Sequence, residues 1–435
     1  MRAPQVFIET FGCQMNEYDT EVVRSILKAR GYGFTDSADS ADVVLLNTCA
    51  IREKAHNKVY GHLGLLKPLK EERGLVIGVL GCMAQNLKRD LLASDALIDV
   101  LVGPDSYRAL PDLLEKAAAG RKGLAVDLSE YETYADIVPD RIEGVTAWIA
   151  VMRGCDNFCT FCVVPYTRGR ERSRDLISVV REAEALAASG CKQVTLLGQN
   201  VNSYRDGVHD FADLLGAVAD IRGIERVRFT SPHPKDFPDN LLEAVADHPK
   251  ICEHIHLPLQ AGNDRILQLM NRTYTRAEYL ALVARIRRRC PDIVLTTDII
   301  AGFCSETEAE FAETYDLVEQ VGYHSAYIFK YSERKNTIAA RKFPDDVPDA
   351  VKAERVSRLV ELQRGMSLNK NRALIGKTVE VLVEGDGKYA DQWKARTDGN
   401  IVTVFRKTGH SIKPGSLVPV RITDATVTTL YAHPA

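Results

Sequence analysis

Cys155-Asp156-Asn157-Phe158-Cys159-Thr160-Phe161-Cys162, directly after the apolar run Ala147–Met152, is the stretch on which the fold reading turns. Ala147–Met152 reads as a strand. Five more candidate strands follow: Gln193–Leu197, Val227–Phe229, His254–Leu257, Ile293–Ile300 and Ala326–Phe329. Helical patterns separate them, such as Asp175–Ser189, which Gly190 can terminate. Six strand–helix units predict a partial (β/α)6 barrel whose chemistry sits at the strand C-termini.

The cysteine spacing then narrows the chemistry. Three thiolates in one tight loop can hold three irons of a 4Fe–4S cluster and leave the fourth iron open. An open iron can chelate the amino and carboxylate groups of S-adenosylmethionine. A structural zinc takes four ligands, commonly as two Cys pairs, and no second pair lies nearby. A ferredoxin run needs a fourth Cys where this chain has Val163-Val164-Pro165.

Upstream, Val6–Thr10, Val43–Asn47 and Leu75–Leu80 read as strands, with helices over Glu17–Arg30 and from Ile51 to about Leu66. Short apolar strands between amphipathic helices predict a doubly wound parallel α/β domain. Cys13, Cys49 and Cys82 each follow one of these strands. In a parallel sheet those positions share one edge, so three more thiols converge there. Cys191, Cys252, Cys290 and Cys304 show no ligand spacing and read as packing residues. The ten histidines read the same way, His233 and His256 near strand ends included.

Composition sets the frame. The 435 residues are too many for one ordinary domain. The expected boundaries are 1–125 for the first α/β domain, 126–143 for an acidic linker, 144–365 for the barrel and 366–432 for a small all-β barrel of oligonucleotide-binding size. That last barrel is read from Thr378–Val383, Trp393–Thr397, Ile401–Phe405 and Leu417–Ile422 between Gly-rich turns. The net charge of −3 argues against indiscriminate nucleic-acid binding, but residues 366–435 carry ten Lys/Arg against six Asp/Glu. A basic tail on an acidic body suggests a local phosphate-binding surface. Without a signal-peptide pattern or an apolar run of about eighteen residues, the expected location is the cytoplasm, with no membrane partner. Thiols there stay reduced, which favours metal ligation over disulfides.

The motifs as a set resemble the methylthiotransferase family over essentially the whole chain. They are Thr10-Phe11-Gly12-Cys13-Gln14-Met15-Asn16-Glu17-Tyr18-Asp19, Asn47-Thr48-Cys49-Ala50-Ile51-Arg52-Glu53-Lys54, Gly81-Cys82-Met83, and Arg153-Gly154-Cys155 through Arg168-Gly169. The stretch from Gly376 through Arg396-Thr397-Asp398-Gly399-Asn400 to Pro414-Gly415 resembles a TRAM domain, an RNA-binding β-barrel. Gln14–Tyr18 and Ala50–Lys54 resemble the tRNA-2-methylthio-N(6)-dimethylallyladenosine synthase (MiaB) type. The branches acting on threonylcarbamoyladenosine in tRNA, or on a ribosomal protein, remain the alternatives.

The resemblance implies a radical S-adenosylmethionine enzyme that methylthiolates C2 of an isopentenylated adenosine beside the anticodon. Cys155, Cys159 and Cys162 would hold the cluster that cleaves S-adenosylmethionine. Cys13, Cys49 and Cys82 would hold a second 4Fe–4S cluster that carries the sulfur. Phe161 would pack on the cofactor adenine, and Gly198, Gln199 and Asn200 would approach its methionine part. Ser231, Gln260 and Asp298, near later strand ends, are further cofactor-binding candidates, with Thr230 beside them. Lys394, Arg396, Arg406 and Lys407 are candidate phosphate contacts. The implied partners are the anticodon stem-loop of tRNA, an electron donor such as flavodoxin or ferredoxin, and a sulfur donor or iron–sulfur carrier protein. The chain departs from the family pattern twice: Cys304-Ser305 and Lys335-Asn336 stand where members often have Pro-Gly, which puts the shape of both loops in question.

Overall fold

The computed structural model describes residues 2–50, 53–94, 97–141, 144–407 and 411–435. Ile51 and Arg52, at the start of the expected second helix, and Ile142 and Glu143, at the end of the expected linker, lie outside the described residues. Two compact units form. One comprises Met1–Ile142, Ala150–Ser178 and Ser332–Arg341, the other Glu143–Ile149, Val179–Tyr331 and Lys342–Ala435.

The first unit is built on a six-stranded sheet: β1 Gln5–Thr10, β2 Gly33–Phe34, β3 Val43–Thr48, β4 Val76–Gly81, β5 Val100–Val102 and β6 Gly123–Ala125. Its order is β2-β1-β3-β4-β5-β6 with every pairing parallel. All residues of β3 and β4 are buried, which explains their unbroken apolar character: central parallel strands are covered on both faces. Helices α1 Gln14–Ala29, α2 Glu53–Arg73, α3 Cys82–Ser94 and α4 Leu110–Ala118 complete the fold. Helix α1 begins three residues before the expected Glu17, because Cys13 itself occupies the N-cap position. The acidic stretch after β6 packs on this domain, with Tyr134 fully buried and Asp140 paired with Arg24 and Lys28.

The expected strand Ala147–Met152 is split. Residues Thr146–Ala150 form β7, and Met152–Arg153 form a separate short strand, β8. After the cysteine loop come α5 Val164–Arg168, β9 Arg172–Ser173 and α6 Leu176–Ala188. Pairing of β8 with β9 is antiparallel, so the chain reverses between Arg153 and Arg172, around the cysteine loop.

In the second unit the barrel strands form two three-stranded sheets. The strands are β10 Gln193–Leu197, a small hairpin of β11 Arg205–Asp206 and β12 His209–Asp210, then β13 Arg226–Phe229, β14 His254–His256, β15 Val294–Ala301 and β16 Ser325–Lys330. The sheet orders are β13-β10-β7 and β14-β15-β16. A 24-residue helix, Asp349–Arg372, leads into a closed barrel of β17 Thr378–Asp386, β18 Gln392–Thr397, β19 Val402–Arg406, β20 Leu417–Ala425 and β21 Thr429–Pro434. Four of these strands are expected from sequence; β21 is not. It closes the barrel by pairing parallel to β19 and antiparallel to β20 around Val381, Val383, Phe405, Val420 and Leu430.

Candidate metal and cofactor site

The sheet order brings the first three cysteines together. Strands β1, β3 and β4 are consecutive neighbours, with Thr10 opposite Asn47 and Thr48 opposite Gly81. Cys13 caps α1 just past β1, Cys49 follows β3, and Cys82 opens α3 at the end of β4. The order reverses between β1 and β3, and such a switch point opens a crevice at the strand C-termini where doubly wound sheets bind ligands. Gly12 adopts φ +126°, and a Cβ there would lie 2.4 Å from Cys49 Cβ. Only glycine lets the Cys13 turn sit this close to Cys49.

Their electrostatics suit thiolates. The Cys49 thiol donates to the Cys13 sulfur and, against burial, lowers the Cys13 pKa to about 6, with Arg168 adding to the effect. Burial pushes Cys82 upward, and the Arg168 charge opposes it. The N-termini of α1 and α3 add two partial positive charges to the same edge.

The second group sits in a loop made by the same logic. Gly154 has φ +81°, and a Cβ there would fall 1.9 Å from the Arg170 carbonyl oxygen. Cys155 N donates to Gly169 O at 3.2 Å and Cys162 N to Cys159 O at 3.0 Å, which closes the loop over α5. The two groups adjoin: Val163, next to Cys162, packs with Cys82 and Ala50 in one apolar cluster. All six cysteines belong to the first unit.

Among the described residues no three His, Cys, Asp or Glu side chains converge on a single metal ion. A lone zinc or calcium would draw every ligand to within about 2–2.6 Å of one point. A 4Fe–4S cube gives each thiolate its own iron and so holds its ligands farther apart. Three cysteines from separate strand ends, two of them brought close by a glycine turn and with a buried cation beside them, fit that second arrangement.

The remaining candidates divide by unit. Phe161 is half-buried in the first unit, beside Thr160, whose carbonyl accepts from Ala339 N at 2.7 Å. Gly198, Gln199 and Asn200 follow β10 in the second. There Ser231 O accepts from Val201 N at 3.3 Å, and Gln260 N donates to Asp298 O at 2.8 Å. Ser231 and Gln260 take φ of 60° and 67°, strain of the sort that gathers at functional sites. His256 lies 3.3 Å from Asp298, so the two pair across the neighbouring strands β14 and β15. His233 is buried, its Nδ1 accepting from Lys235 N at 3.2 Å. Cys191, Cys252, Cys290 and Cys304 are buried, as packing residues should be.

On the small barrel, Lys394 and Arg396 share Glu384 at 3.2 and 2.9 Å, and Lys407 pairs with Asp386 at 2.8 Å. Arg406 is exposed. Sequence reasoning misses the buried charges Asp19, Arg153 and Arg168, although each lies inside a motif quoted above. It also misses Phe158, whose ring meets Tyr166 and lies under Arg170.

Comparison with known proteins agrees with this geometry. Three family models match: Uncharacterized protein family UPF0004 over residues 5–103, the Radical SAM superfamily over 149–318 and the TRAM domain over 372–435. A tRNA-2-methylthio-N(6)-dimethylallyladenosine synthase of Bacteroides thetaiotaomicron is 48% identical over 435 residues, covering 98% of this chain and 95% of its own. The chain belongs to this synthase family. Members from Chloroherpeton thalassium and Porphyromonas gingivalis are also 48% identical, each across 99% of this chain and 96% and 94% of their own. Among solved structures, a radical S-adenosylmethionine methyltransferase, TsrM, from Kitasatospora setae with cobalamin and a [4Fe-4S] cluster bound aligns with a TM-score of 0.60 at 15% identity. That alignment covers 78% of this chain and 77% of that one. A cobalamin-dependent S-adenosylmethionine radical enzyme, OxsB, aligns at 0.54 and 12% identity over 84% and 56%. These two share the fold with the synthase family. No helix among the described residues is long and apolar enough to cross a membrane.

Proposed function

We propose that this chain attaches a methylthio group to C2 of N(6)-dimethylallyladenosine next to the anticodon in tRNA. The observation that carries the reading is the meeting of six cysteines from four distant segments in one unit, with Val163 packed against Cys82. Cys155, Cys159 and Cys162 would hold one 4Fe–4S cluster, and Cys13, Cys49 and Cys82 would hold the other. With S-adenosylmethionine bound, the clusters would supply the sulfur and the one-electron chemistry that an aromatic C–H bond needs, having no acidic proton for a base to remove.

The protein's own groups do the rest. Phe161 packs on the cofactor adenine. In the second unit, Gly198, Gln199, Asn200, Ser231, Gln260 and Asp298 are the residues we assign to cofactor binding. The substrate base lies in a single-stranded loop, where it can be splayed out at little cost. Lys394, Arg396, Arg406 and Lys407 receive backbone phosphates. Domains spanning 1–125, 144–365 and 366–432 divide this work in the cytoplasm. A flavodoxin or ferredoxin provides electrons, and a sulfur donor or iron–sulfur carrier protein replenishes the sulfur.

Anaerobic iron and sulfide counting tests the cluster assignment. Wild type should hold about eight irons and a C155A/C159A/C162A variant about four. Nucleoside mass analysis of tRNA from cells lacking the protein should show the unthiolated dimethylallyl base. Unchanged iron in the triple variant, or unchanged tRNA, would refute the proposal.

A further inference from the structure

Beside the first-domain cysteines lies a buried positive charge that no ligand role uses. Asp19, on α1, is fully buried, and guanidinium groups take both its oxygens. Arg153 Nη2 donates to Oδ1 at 2.6 Å and Arg168 Nη2 to Oδ2 at 2.8 Å. The Tyr107 hydroxyl adds a bond to Oδ2 at 3.3 Å. Both arginines come from the cysteine-loop segment: Arg153 precedes Gly154-Cys155, and Arg168 ends α5. They are only 1% and 3% exposed. Arg153 also lies over the Tyr134 ring at 4.7 Å.

One carboxylate cannot neutralise two guanidinium groups. Nearby Arg172 brings its own partner, Asp105, at 2.9 Å, so that pair leaves the balance unchanged. Arg153 Nε and Nη1 and Arg168 Nη1 are buried with no hydrogen-bond partner. An uncompensated buried cation is costly and persists only where an anion faces it. Arg168 shows which anion. Its Nη2 also donates to Asn16 Oδ1 at 3.0 Å, and that oxygen lies 3.8 Å from Cys13 Sγ. Thr167, one residue before Arg168, hydrogen-bonds Cys82. The cation therefore stands against thiolates of the first-domain group and the anionic cluster they would carry.

We propose that Arg168, held in place by Asp19, is a positioning residue that sets the reduction potential of the cluster on Cys13, Cys49 and Cys82. The inference rests on the reading of those cysteines as a cluster site. Reduction adds one negative charge. A buried cation at short range favours that state, because Coulomb energies in a poorly solvated interior are several-fold those in water. Asp19 works in the opposite sense and cancels part of the effect. Removing the cation should lower the potential, and removing the anion should raise it. A mere structural clamp would give no such pair of opposite shifts, since either substitution breaks the same Asp19–Arg168 contact.

The test uses the full-length chain in a C155A/C159A/C162A background, so that one cluster gives the signal. Potentiometric titration followed by electron paramagnetic resonance should show R168Q shifted to more negative potential, D19N to more positive, and R168K close to the parent. Opposite shifts support the proposal. No shift, or shifts of the same sign, in proteins that keep about four irons overturns it. If R168Q fails to hold iron, D19N and R168K decide alone: a positive shift for the first and parental behaviour for the second support it, and any other result overturns it. A parent that holds no iron refutes the cluster reading instead, so the two failures are told apart.

Discussion

At the scale of single residues, two positions make sharp claims. Gly154 occupies the left-handed region with its missing Cβ 1.9 Å from a carbonyl oxygen, so Gly154→Ala must displace the Arg170 backbone bend or the cysteine loop. We expect a loss of about 3 kcal/mol, read as a lower thermal midpoint, with iron per chain falling as well. Wild-type iron content and midpoint would contradict the argument. His233 makes a pH claim. Burial, with Arg272 and Lys235 adding, pushes its imidazole down to about 2, so it stays neutral in the folded chain. In the unfolded chain a histidine titrates near about 6.5. Below that pH the unfolded state binds a proton that the folded state refuses. Stability is therefore full above the unfolded value and falls as pH drops toward the folded one, by up to about 1.4 kcal/mol per unit. His254 and His324 are pushed the same way by burial, so the His233 share is read by difference. Between pH 7.5 and 5.5 the unfolding midpoint of His233→Asn should fall less than that of wild type; equal slopes would sink the assignment.

At the scale of elements, both departures from the family pattern place a non-glycine residue in a left-handed backbone. Ser305 has φ 60° and Asn336 φ 76°, the region that the glycine of a Pro-Gly pair enters without strain. Asn336 also donates to Asn86 Oδ1 at 3.2 Å, tying its loop to the helix that begins at Cys82. Ser305 gains less: its carbonyl and backbone N–H bond Arg265 at 2.8 Å and Asp346 at 2.7 Å, and a glycine would keep both. Ser305→Gly should accordingly stabilise by about 1 kcal/mol, whereas Asn336→Val should destabilise by a similar amount. A lower midpoint for Ser305→Gly would show that its hydroxyl bond to Arg265 matters more than strain. Elements also mark where the sequence was legible. The cysteine groups could be read because chemistry demands that spacing and because each follows an apolar strand. Helix Asp349–Arg372 escaped because its inward face buries Lys352, Arg355, Gln363, Ser367 and Asn371, which erases the apolar period. Strand β21 escaped because its partners β19 and β20 are set by barrel closure. Asp19, Arg153 and Arg168 escaped for a related reason: a charge on a helix or at a strand end reads as solvated until a distant segment covers it.

At the scale of the whole molecule, charge placement matters more than total charge. The chain carries −3, yet residues 366–435 hold ten Lys/Arg against six Asp/Glu. Such asymmetry steers a polyanion to one place and leaves the acidic remainder unattractive. Within the second unit the small barrel is fixed to the starts of the half-barrel strands. Arg226 Nη1 donates to Arg396 O at 2.7 Å, Arg228 Nη2 to Thr397 O at 2.9 Å and Glu253 N to Asp398 Oδ2 at 2.8 Å. Ser231 and Gln260 follow the opposite ends of β13 and β14, so they and the small barrel stand at opposite strand ends of the unit. The candidate cations Lys394, Arg396 and Lys407 are paired with Glu384 and Asp386, but these are partly solvated surface pairs, and such pairs are worth only about 0–1 kcal/mol, little enough for phosphate to compete. Two variants of opposite sign follow. Neutralising Lys394, Arg396, Arg406 and Lys407 together should weaken binding of an unmodified anticodon stem-loop and flatten the slope of log K against log salt, by up to about 3. Neutralising Glu384 and Asp386 instead should strengthen binding by freeing the same cations. Fluorescence anisotropy over a potassium chloride series measures both; a slope unmoved by the fourfold change would place the RNA contact on some other face of the chain.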